Sequence, residues 1–199
     1  MTGYVLRGGR PGYDRLVLLA RERWADARVL LEHAGVSVGM RCADIGCGGG
    51  EVTMEIARLV APGGGVVGID VDKVKIALAR QAAAERGLGN VEFTALDVSD
   101  WDEPAAYDVV HSRFLLQHLS RPDSLLRRMW AAVTEGGVLI VEDADFDGWY
   151  CEASADAIVS AGVATPDQVT AALDSLRRFT DDPRTLICGP RVFQLWSRR

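Results

Sequence analysis

Between residues 41 and 60 a short apolar run, a glycine-rich turn and a helical pattern follow one another. The turn carries glycine at three alternate positions, Gly46, Gly48 and Gly50. Glycine adopts backbone conformations that strain any residue with a side chain, and it lets main-chain N–H groups approach a ligand closely. A buried strand that runs through such a turn into a helix is typical of open α/β sheets, which bind ligands at the carboxyl ends of their strands. We therefore expect the functional site at this turn.

Apolar runs and helical patterns alternate through the rest of the chain. Apolar runs predict strands over residues 42–45, 66–70, 91–98, 107–113 and 138–142. Helical spacing predicts helices over residues 16–34, 51–60 and 73–86, and a fourth helix that starts near Ser120 and Asp123 and ends at Gly136 and Gly137. This alternation predicts a doubly wound α/β fold, in which a mostly parallel, Rossmann-like sheet has helices on both faces. Residues 192–196 predict an antiparallel strand at the C-terminal edge of the sheet.

The composition argues against several classes of function. A formal net charge of -6 and a pI near 5.1 disfavour sequence-independent binding of nucleic acid, which needs a basic surface. No apolar run is long enough to cross a membrane, and the arginine-rich start lacks the apolar core of a secretion signal. We therefore predict a cytoplasmic protein without membrane contact. The four cysteines lack the paired spacing of metal ligands, so we predict free thiols and no metal site.

The glycine turn does not fit the fingerprint of nicotinamide-dependent oxidoreductases. That fingerprint, G-x-G-x-x-G, would need a small residue at Glu51 when it is started at Gly46, and the register started at Gly48 fails at Thr53. The pattern here is acidic-x-Gly-x-Gly-x-Gly, with Asp44 as the acid. It resembles the first motif of the class I S-adenosylmethionine-dependent methyltransferases, and the resemblance covers residues 35–142 well and the remainder loosely.

The resemblance implies that successive strand ends hold S-adenosylmethionine. The turn would hold the methionine part, an acid after the second strand the ribose hydroxyls, and an acid and the next residue after the third strand the adenine. Residues after the fourth strand would line the side of the cleft that faces the sulfonium and the methyl acceptor. The implied cofactor contacts are Asp44, Gly46, Cys47, Gly48, Gly50, Asp70, Val71, Asp97, Val98, Ser112 and Arg113.

Several of these assignments have alternatives. Asp72 is a rival to Asp70, but it is better placed to cap the helix that follows. Tyr4 could fold over the cofactor, as aromatic residues of N-terminal segments do in this family, or simply pack. Histidine as a residue type ordinarily titrates near neutral pH, which makes His118 a candidate general base, although a histidine beside leucines is more often structural. Arg113 would meet the carboxylate of the cofactor or a backbone carbonyl rather than the sulfonium.

The length of 199 residues suits a single domain, with an N-terminal arm and helix (1–34), a cofactor-binding core (35–142) and a shortened C-terminal part (143–199). Many members of the family carry a long insertion after the fifth strand, and little room remains for it here. The resulting prediction is a methyltransferase that acts on an oxygen, nitrogen or carbon atom of a small molecule and releases S-adenosylhomocysteine. A non-catalytic or partner-regulating protein of the same fold is the alternative, and a homodimer is left open.

Overall fold

The computed structural model describes residues 9–22, 24–145, 159, 165–168, 170, 171, 174 and 191–199. The chain divides into two compact units. One unit comprises Gly8–Asp143 and Phe193–Arg199, and the other Met1–Arg7 and Ala144–Val192. The first unit contains the sheet core and every candidate site residue within the described ranges.

Helices and strands alternate through the first unit in the order that the patterns predict. The elements are α1 (Gly9–Glu22), α2 (Trp24–Ala34), β1 (Arg41–Ile45), α3 (Glu51–Val60), β2 (Gly65–Asp70), α4 (Lys73–Glu85), β3 (Val91–Ala95), β4 (Tyr107–Arg113), a 3-10 turn (Leu116–His118), α5 (Pro122–Ala132), β5 (Val133–Asp145) and β6 (Arg191–Arg198). The six strands form one sheet in the order β3-β2-β1-β4-β5-β6.

The first five strands are parallel, and β6 runs antiparallel to β5. In β1, Asp44 lies opposite Gly68 of β2 on one side and His111 of β4 on the other. Gly136 and Gly137 at the start of β5 exchange backbone hydrogen bonds with Arg199, whereas Gln194 reaches Glu142 at its far end. The predicted mostly parallel sheet with an antiparallel C-terminal edge strand is confirmed.

Apolar side chains cover both faces of the sheet. On one face α2 and α3 pack on the strands, with Leu31, Ile56 and Val109 fully buried. On the other face α5 packs on the strands through Met129 and its neighbours. A third cluster lies under α4 around Phe93. Helices on both faces are what a doubly wound fold requires.

The N-terminal region differs from the prediction in two ways. The helical region starts at Gly9 instead of at Leu16, and residues 16–34 belong to two helices instead of one. Pro11 fits the first turn of a helix, because the N–H that it lacks would have no partner within the helix. The two helices pack on different surfaces: α1 contacts α3 and α4, whereas α2 places Leu31 in the core beneath the sheet. One straight helix cannot reach both surfaces.

The boundary between α5 and β5 also differs from the prediction. The helix ends at Ala132, and the strand already begins at Val133. The pairing with β4 steps from Tyr107↔Val133 to Val109↔Val138, so the glycine pair lies in an irregular stretch of the strand and does not end the helix. Gly136 N–H donates to the carbonyl of Arg199, and Arg199 N–H donates to the carbonyl of Gly137. These bonds satisfy the backbone of the glycine pair within the sheet.

Local signals in the sequence account for three features of the structure. Gly35 follows the last residue of α2 with a φ of +90°, as a helix-ending glycine does. The helix after the glycine turn spans Glu51–Val60 as predicted. Thr165 and Gln168 form the reciprocal hydrogen bonds of a capping box. Helix α5 starts at Pro122, close to the predicted start near Ser120 and Asp123, but Ser120 does not cap it, because Arg121 occupies the N-cap position and makes no side-chain cap.

Candidate functional site

The parallel strands bring the candidate residues to one edge of the sheet. The glycine turn follows β1, Asp70 ends β2, Asp97 follows β3 and Arg113 ends β4. The strand order reverses between β1 and β4. Strands β2 and β3 lie on one side of β1, whereas β4 and β5 lie on its other side. Open α/β sheets bind ligands at this kind of topological switch point.

The glycine turn is a close-packed corner. Gly46, Gly48 and Gly50 all have positive φ values, of +75°, +54° and +75°. A Cβ on Gly46 would lie 2.9 Å from Leu115, and a Cβ on Gly50 would lie 2.5 Å from the ring of Phe93. Both backbone conformation and space therefore require glycine here.

Most of the N–H groups in the turn already donate to acceptors in the protein. Gly46 and Cys47 donate to the carbonyl of Ile69 at 2.8 and 2.9 Å, and Gly50 donates to the carbonyl of Cys47 at 2.9 Å. Gly48 donates to Asp70 Oδ2 at 2.9 Å. These bonds fix the corner against β2, so the turn is preformed.

Asp70 is oriented by two backbone N–H groups. Gly48 donates to its Oδ2, and Asp72 donates to its Oδ1, each at 2.9 Å. Each carboxylate oxygen has more than one acceptor site, so both oxygens retain capacity for a further donor. The side chain is partly exposed at the sheet edge. A carboxylate fixed in this way suits a pair of neighbouring hydroxyl groups.

Asp72 is the N-cap of α4, as its spacing predicts. Its Oδ1 accepts the N–H groups of Val74 and Lys75 at 3.0 and 3.2 Å. Its Oδ2 accepts the N–H of Gly9 at 3.0 Å. Asp72 is thereby committed to helix ends, which leaves Asp70 as the acid available for a ligand.

Asp44 lies below the turn. The residue is only 3% exposed, and both oxygens have partners: Thr53 Oγ1 donates to Oδ2 at 2.6 Å, and His111 Nδ1 lies 2.8 Å from Oδ1. These bonds join β1, α3 and β4 directly under the glycine corner. This geometry favours a bracing role for Asp44 over the direct cofactor contact that the resemblance implies.

Asp97 and Val98 begin the loop after β3. Asp97 is exposed, and its Oδ1 accepts the Ser99 N–H at 2.9 Å. This backbone hydrogen bond, together with one from the Ser99 side chain, lowers the pKa of Asp97 and keeps it ionised. Val98 is partly buried, whereas Val71, beside Asp70, is 62% exposed. The exposed apolar side chain of Val71, next to the Asp70 carboxylate, suits one face of a flat ring.

Ser112 and Arg113 occupy different environments at the end of β4. Ser112 is fully buried between β1 and β5, and its Oγ has no hydrogen-bond partner among the described residues. Arg113 Nε lies 3.2 Å from Glu142 Oε1, with both side chains almost fully buried, and Gln194 donates to Glu142 Oε2 at 2.6 Å. Arg113 therefore binds β4 to β5 and β6 through this cluster, which neutralises its charge locally.

His118 ends the short 3-10 turn that follows β4. Its side chain is exposed, and its backbone N–H donates to the carbonyl of Leu115. Asp143 Oδ2 accepts the N–H of Leu116 at 2.9 Å and fixes the start of this turn. His118 thus lies on the same edge of the sheet as the acids, on the β4 side of the switch point.

The described thiols are not reactive groups. Burial, reinforced by Asp108 and Asp44, raises the pKa of Cys42 to about 12, and burial raises the pKa of Cys47 well above its usual range. Both cysteines are free. Within the described part of the chain, no cluster of three or more metal-ligating residues occurs. Tyr4 lies outside the described residues.

Sequence reasoning missed the residues that support and cover the turn. Thr53 and His111 complete the Asp44 cluster, and Leu16 and Tyr13 of α1 lie against Gly48 and Gly49. One signal for the cluster was available. A histidine within the otherwise apolar run of β4 needs a polar partner, and the adjacent strand supplies an aspartate.

Comparison with known proteins adds family information. Residues 37–179 match the sequence profile of a family described as "Methyltransferase domain". A ubiquinone biosynthesis O-methyltransferase of Acinetobacter baylyi is 31% identical over 119 residues, which are 59% of this chain and 47% of the relative. The chain therefore spans about half the length of the curated relatives that it matches.

Two solved structures are similar. Phosphoethanolamine N-methyltransferase 2 of Haemonchus contortus, in complex with phosphomonomethylethanolamine and S-adenosylhomocysteine, is 27% identical with a TM-score of 0.56 and covers 61% of this chain and 28% of its own. The [4+2]-cyclase SpnF is 29% identical with a TM-score of 0.54 and covers 59% of this chain and 43% of its own. The described residues include no helix with the length and apolar character of a membrane span.

Proposed function

Because this chain belongs to the S-adenosylmethionine-dependent methyltransferase domain family, we propose that it transfers a methyl group from S-adenosylmethionine to a small-molecule nucleophile. The observation that carries the proposal is the row of groups at the carboxyl edge of the sheet: a side-chain-free corner after β1, an oriented carboxylate after β2 and an exposed carboxylate after β3. The first matches a ligand that approaches the backbone closely, and the carboxylates match hydroxyl and amino donors.

The residues fit an adenosyl ligand. Asp70 offers two oxygens to the ribose hydroxyls, Val71 offers an apolar surface to the adenine, and Asp97 accepts from its amino group. The uncapped N-terminus of α3 after Gly50 favours a negatively charged group, so it suits the carboxylate of the methionine part. We assign Gly46, Cys47 and Gly48 to the backbone corner along which this part lies, and Val98 to the adenine side. Ser112 and Arg113 support this edge from below.

Positioning is the main contribution that these residues make to catalysis. When bound, S-adenosylmethionine supplies a methyl group on an excellent sulfonium leaving group. The chain has to align a nucleophile with that methyl group and exclude water. Such alignment lowers barriers by up to roughly 7 to 11 kcal/mol in model reactions, whereas a general base contributes about 10²- to 10⁴-fold. The preformed glycine turn and the pinned Asp70 carboxylate are the groups that provide the alignment.

A proton has to leave when the acceptor is a hydroxyl or a protonated amine. His118 lies at the same edge and is exposed, and we propose it as the general base. His111 is unsuited to this role because it is 1% exposed and is bonded to Asp44. His33 is on the last turn of α2, away from the strand ends.

The acceptor is a small molecule in this proposal, and the relatives do not fix which atom is methylated. One is named for O-methylation and another for N-methylation. One similar structure is named for a [4+2] cyclisation, a reaction that is not a methyl transfer, so the alternative that we retain is a chain that binds the cofactor without transferring its methyl group.

Titration with S-adenosylhomocysteine tests the proposal, with Asp70→Ala as the decisive variant. Loss of a charged acceptor for two hydroxyl groups should weaken binding at least about tenfold to a hundredfold. Isothermal titration calorimetry gives the dissociation constants, and thermal melting shows whether the variant is folded. Asp102→Ala, an exposed acid after β3, is the matched control and should bind as the wild type does.

The outcomes separate the two functions. Absence of binding by the wild-type chain rules out both. Binding without transfer from labelled S-adenosylmethionine to any member of a panel of phenols, amines and quinols favours the non-methylating alternative.

Once an acceptor is found, His118→Ala should lower kcat about 10²- to 10⁴-fold with little change in the affinity for S-adenosylhomocysteine. His33→Ala is the control and should leave kcat unchanged. An unchanged kcat in His118→Ala would exclude His118 as the general base.

A further inference from the structure

Helix α1 lies directly on the glycine turn. A Cβ built on Gly48 would lie 2.7 Å from Leu16 Cδ1, and a Cβ built on Gly49 would lie 3.1 Å from the ring of Tyr13. Tyr13 and Leu16 are three residues apart, so they lie on one face of the helix. Burial and the charge of Glu51 raise the pKa of Tyr13, which keeps its hydroxyl neutral. The smallness of Gly48 and Gly49 is thus matched to α1.

Asp72 attaches the start of this helix to the sheet edge, and its two oxygens have separate tasks. Oδ1 caps α4 by accepting the N–H groups of Val74 and Lys75. Oδ2 accepts the N–H of Gly9, the first residue of α1, at 3.0 Å, and lies 3.6 Å from Lys75 Nζ. One carboxylate therefore joins the N-termini of two helices, two residues after Asp70.

The Asp72 carboxylate is ionised, which makes the bond to Gly9 charge-assisted. Burial alone would raise the pKa of Asp72, but the N–H groups of Gly9, Lys75 and Val74 and the charge of Lys75 together lower it. Charge-assisted hydrogen bonds are stronger than neutral ones, and a negative charge at a helix N-terminus also interacts favourably with the helix dipole.

We propose that Asp72 is the positioning residue that holds α1 in place as the cover over the glycine turn. The inference rests on the proposed function, since it takes the glycine turn as the surface that binds the cofactor. A ligand on this turn either contacts Tyr13 and Leu16 or displaces them. Opening of α1 therefore sets the rates at which S-adenosylmethionine enters and S-adenosylhomocysteine leaves.

Asp72→Asn separates the two tasks of the carboxylate. The amide oxygen can keep both N–H groups of α4, and asparagine is as good an N-cap as aspartate. The amide nitrogen then faces the N–H of Gly9 and cannot accept from it. We expect hydrogen exchange in peptides from residues 9–22 to rise about tenfold or more, and dissociation of S-adenosylhomocysteine to accelerate by a similar factor. Exchange in residues 73–85 should stay close to wild type.

Two further variants complete the test. Asp123→Asn changes an exposed acid in the first turn of α5 and should alter neither quantity. Leu16→Ala shortens the side chain on Gly48 while keeping a good helix former, and it should accelerate dissociation without touching Asp72. If Asp72→Asn loosens α4 as much as α1, this variant no longer isolates the attachment of α1. The Leu16→Ala result then decides whether α1 covers the turn.

Unchanged exchange of α1 in Asp72→Asn overturns the role of Asp72, and unchanged dissociation in Leu16→Ala overturns the cover. Exchange is measured without ligand, so it judges the attachment of α1 even if the wild-type chain fails to bind S-adenosylhomocysteine. That failure would instead overturn the proposed function.

Discussion

Asp44 shows how the surroundings of a single residue change its role. Its place before the glycine turn resembles a cofactor-binding acid, yet both carboxylate oxygens are directed into the protein and bonded to Thr53 and His111. A buried carboxylate is expensive unless it is hydrogen-bonded, so these partners are needed for the fold itself. Asp44 therefore stabilises the conformation of the glycine turn that follows it.

We predict that Thr53→Val destabilises the protein. The substitution keeps the shape of the side chain but removes the O–H that donates to Asp44 Oδ2 at 2.6 Å. A lost hydrogen bond to a buried charged group should lower the free energy of unfolding by about 1.5 to 3 kcal/mol. Urea denaturation monitored by circular dichroism measures the difference.

Thr94→Val provides the matched control, because Thr94 is exposed on β3 at the edge of the sheet. That substitution should change the free energy of unfolding by less than about 0.5 kcal/mol. Equal effects of the two substitutions would show that the hydrogen bond from Thr53 to Asp44 does not contribute to the free energy of unfolding.

At the scale of elements, the junction between β1 and α3 depends on contacts from elsewhere in the chain. Gly50 is the N-cap of α3 and has a left-handed conformation without a side-chain cap. Phe93 of β3 and Ala79 of α4 occupy the space that a side chain would need, at 2.5 and 3.0 Å from the position that a Cβ would take. The turn, α4 and β3 are thus packed as one body.

We predict that Gly50→Ala is more harmful than a glycine substitution with similar backbone geometry elsewhere. Left-handed strain should cost about 1 to 2 kcal/mol, and overpacking against Phe93 a further 1 to 3 kcal/mol or so. Gly63→Ala is the control, because Gly63 has a φ of +86° but no atom within 4 Å of the added methyl group. Gly63→Ala should show the strain alone.

Comparison of the two midpoints of urea denaturation isolates the packing contribution. If Gly50→Ala and Gly63→Ala are equally destabilising, the close approach of Phe93 does not limit the turn. Adding Phe93→Leu to Gly50→Ala should recover part of the packing loss, since it removes ring atoms that meet the methyl group.

At the scale of the whole molecule, acids with bonded carboxylates make stability depend on pH. The pKa of Asp72 is lowered from 3.8, despite a burial effect in the opposite direction, because Gly9, Lys75 and Val74 donate to it and Lys75 is charged. The unfolded state therefore binds a proton at Asp72 before the folded state does. The stabilisation is fully present above the unfolded pKa and is lost as the pH falls through the folded pKa.

We predict that the difference in free energy of unfolding between the wild type and Asp72→Asn is constant near neutral pH. It should shrink as the pH falls below about 4, because the wild-type carboxylate then takes up its proton. Urea denaturation of both proteins at several pH values between about 3 and 7 measures it. A difference that stays constant down to about pH 3 would contradict the lowered pKa of Asp72.

The alternation of apolar runs and helical patterns was enough to predict the class of the sheet, the presence of a last strand and the bounds of α3, because these depend on local periodicity and on glycine. The position of Asp72 just before a helical pattern was enough to predict that it caps α4, since a cap bonds to backbone groups that are neighbours in the sequence. Local signals failed where distant segments supply the deciding contacts, as at α1 and at the start of β5.

The sequence by itself determined that a glycine corner and acids would meet at one edge of a parallel sheet, because strand direction follows from the order of the elements. Only the tertiary structure decided that Asp44 faces inward, that Asp70 is held by Gly48, and that α1 lies on the turn. The physical reason is that these side chains find their partners across 9 to 67 residues of chain, and no local preference specifies which partner lies within hydrogen-bonding distance.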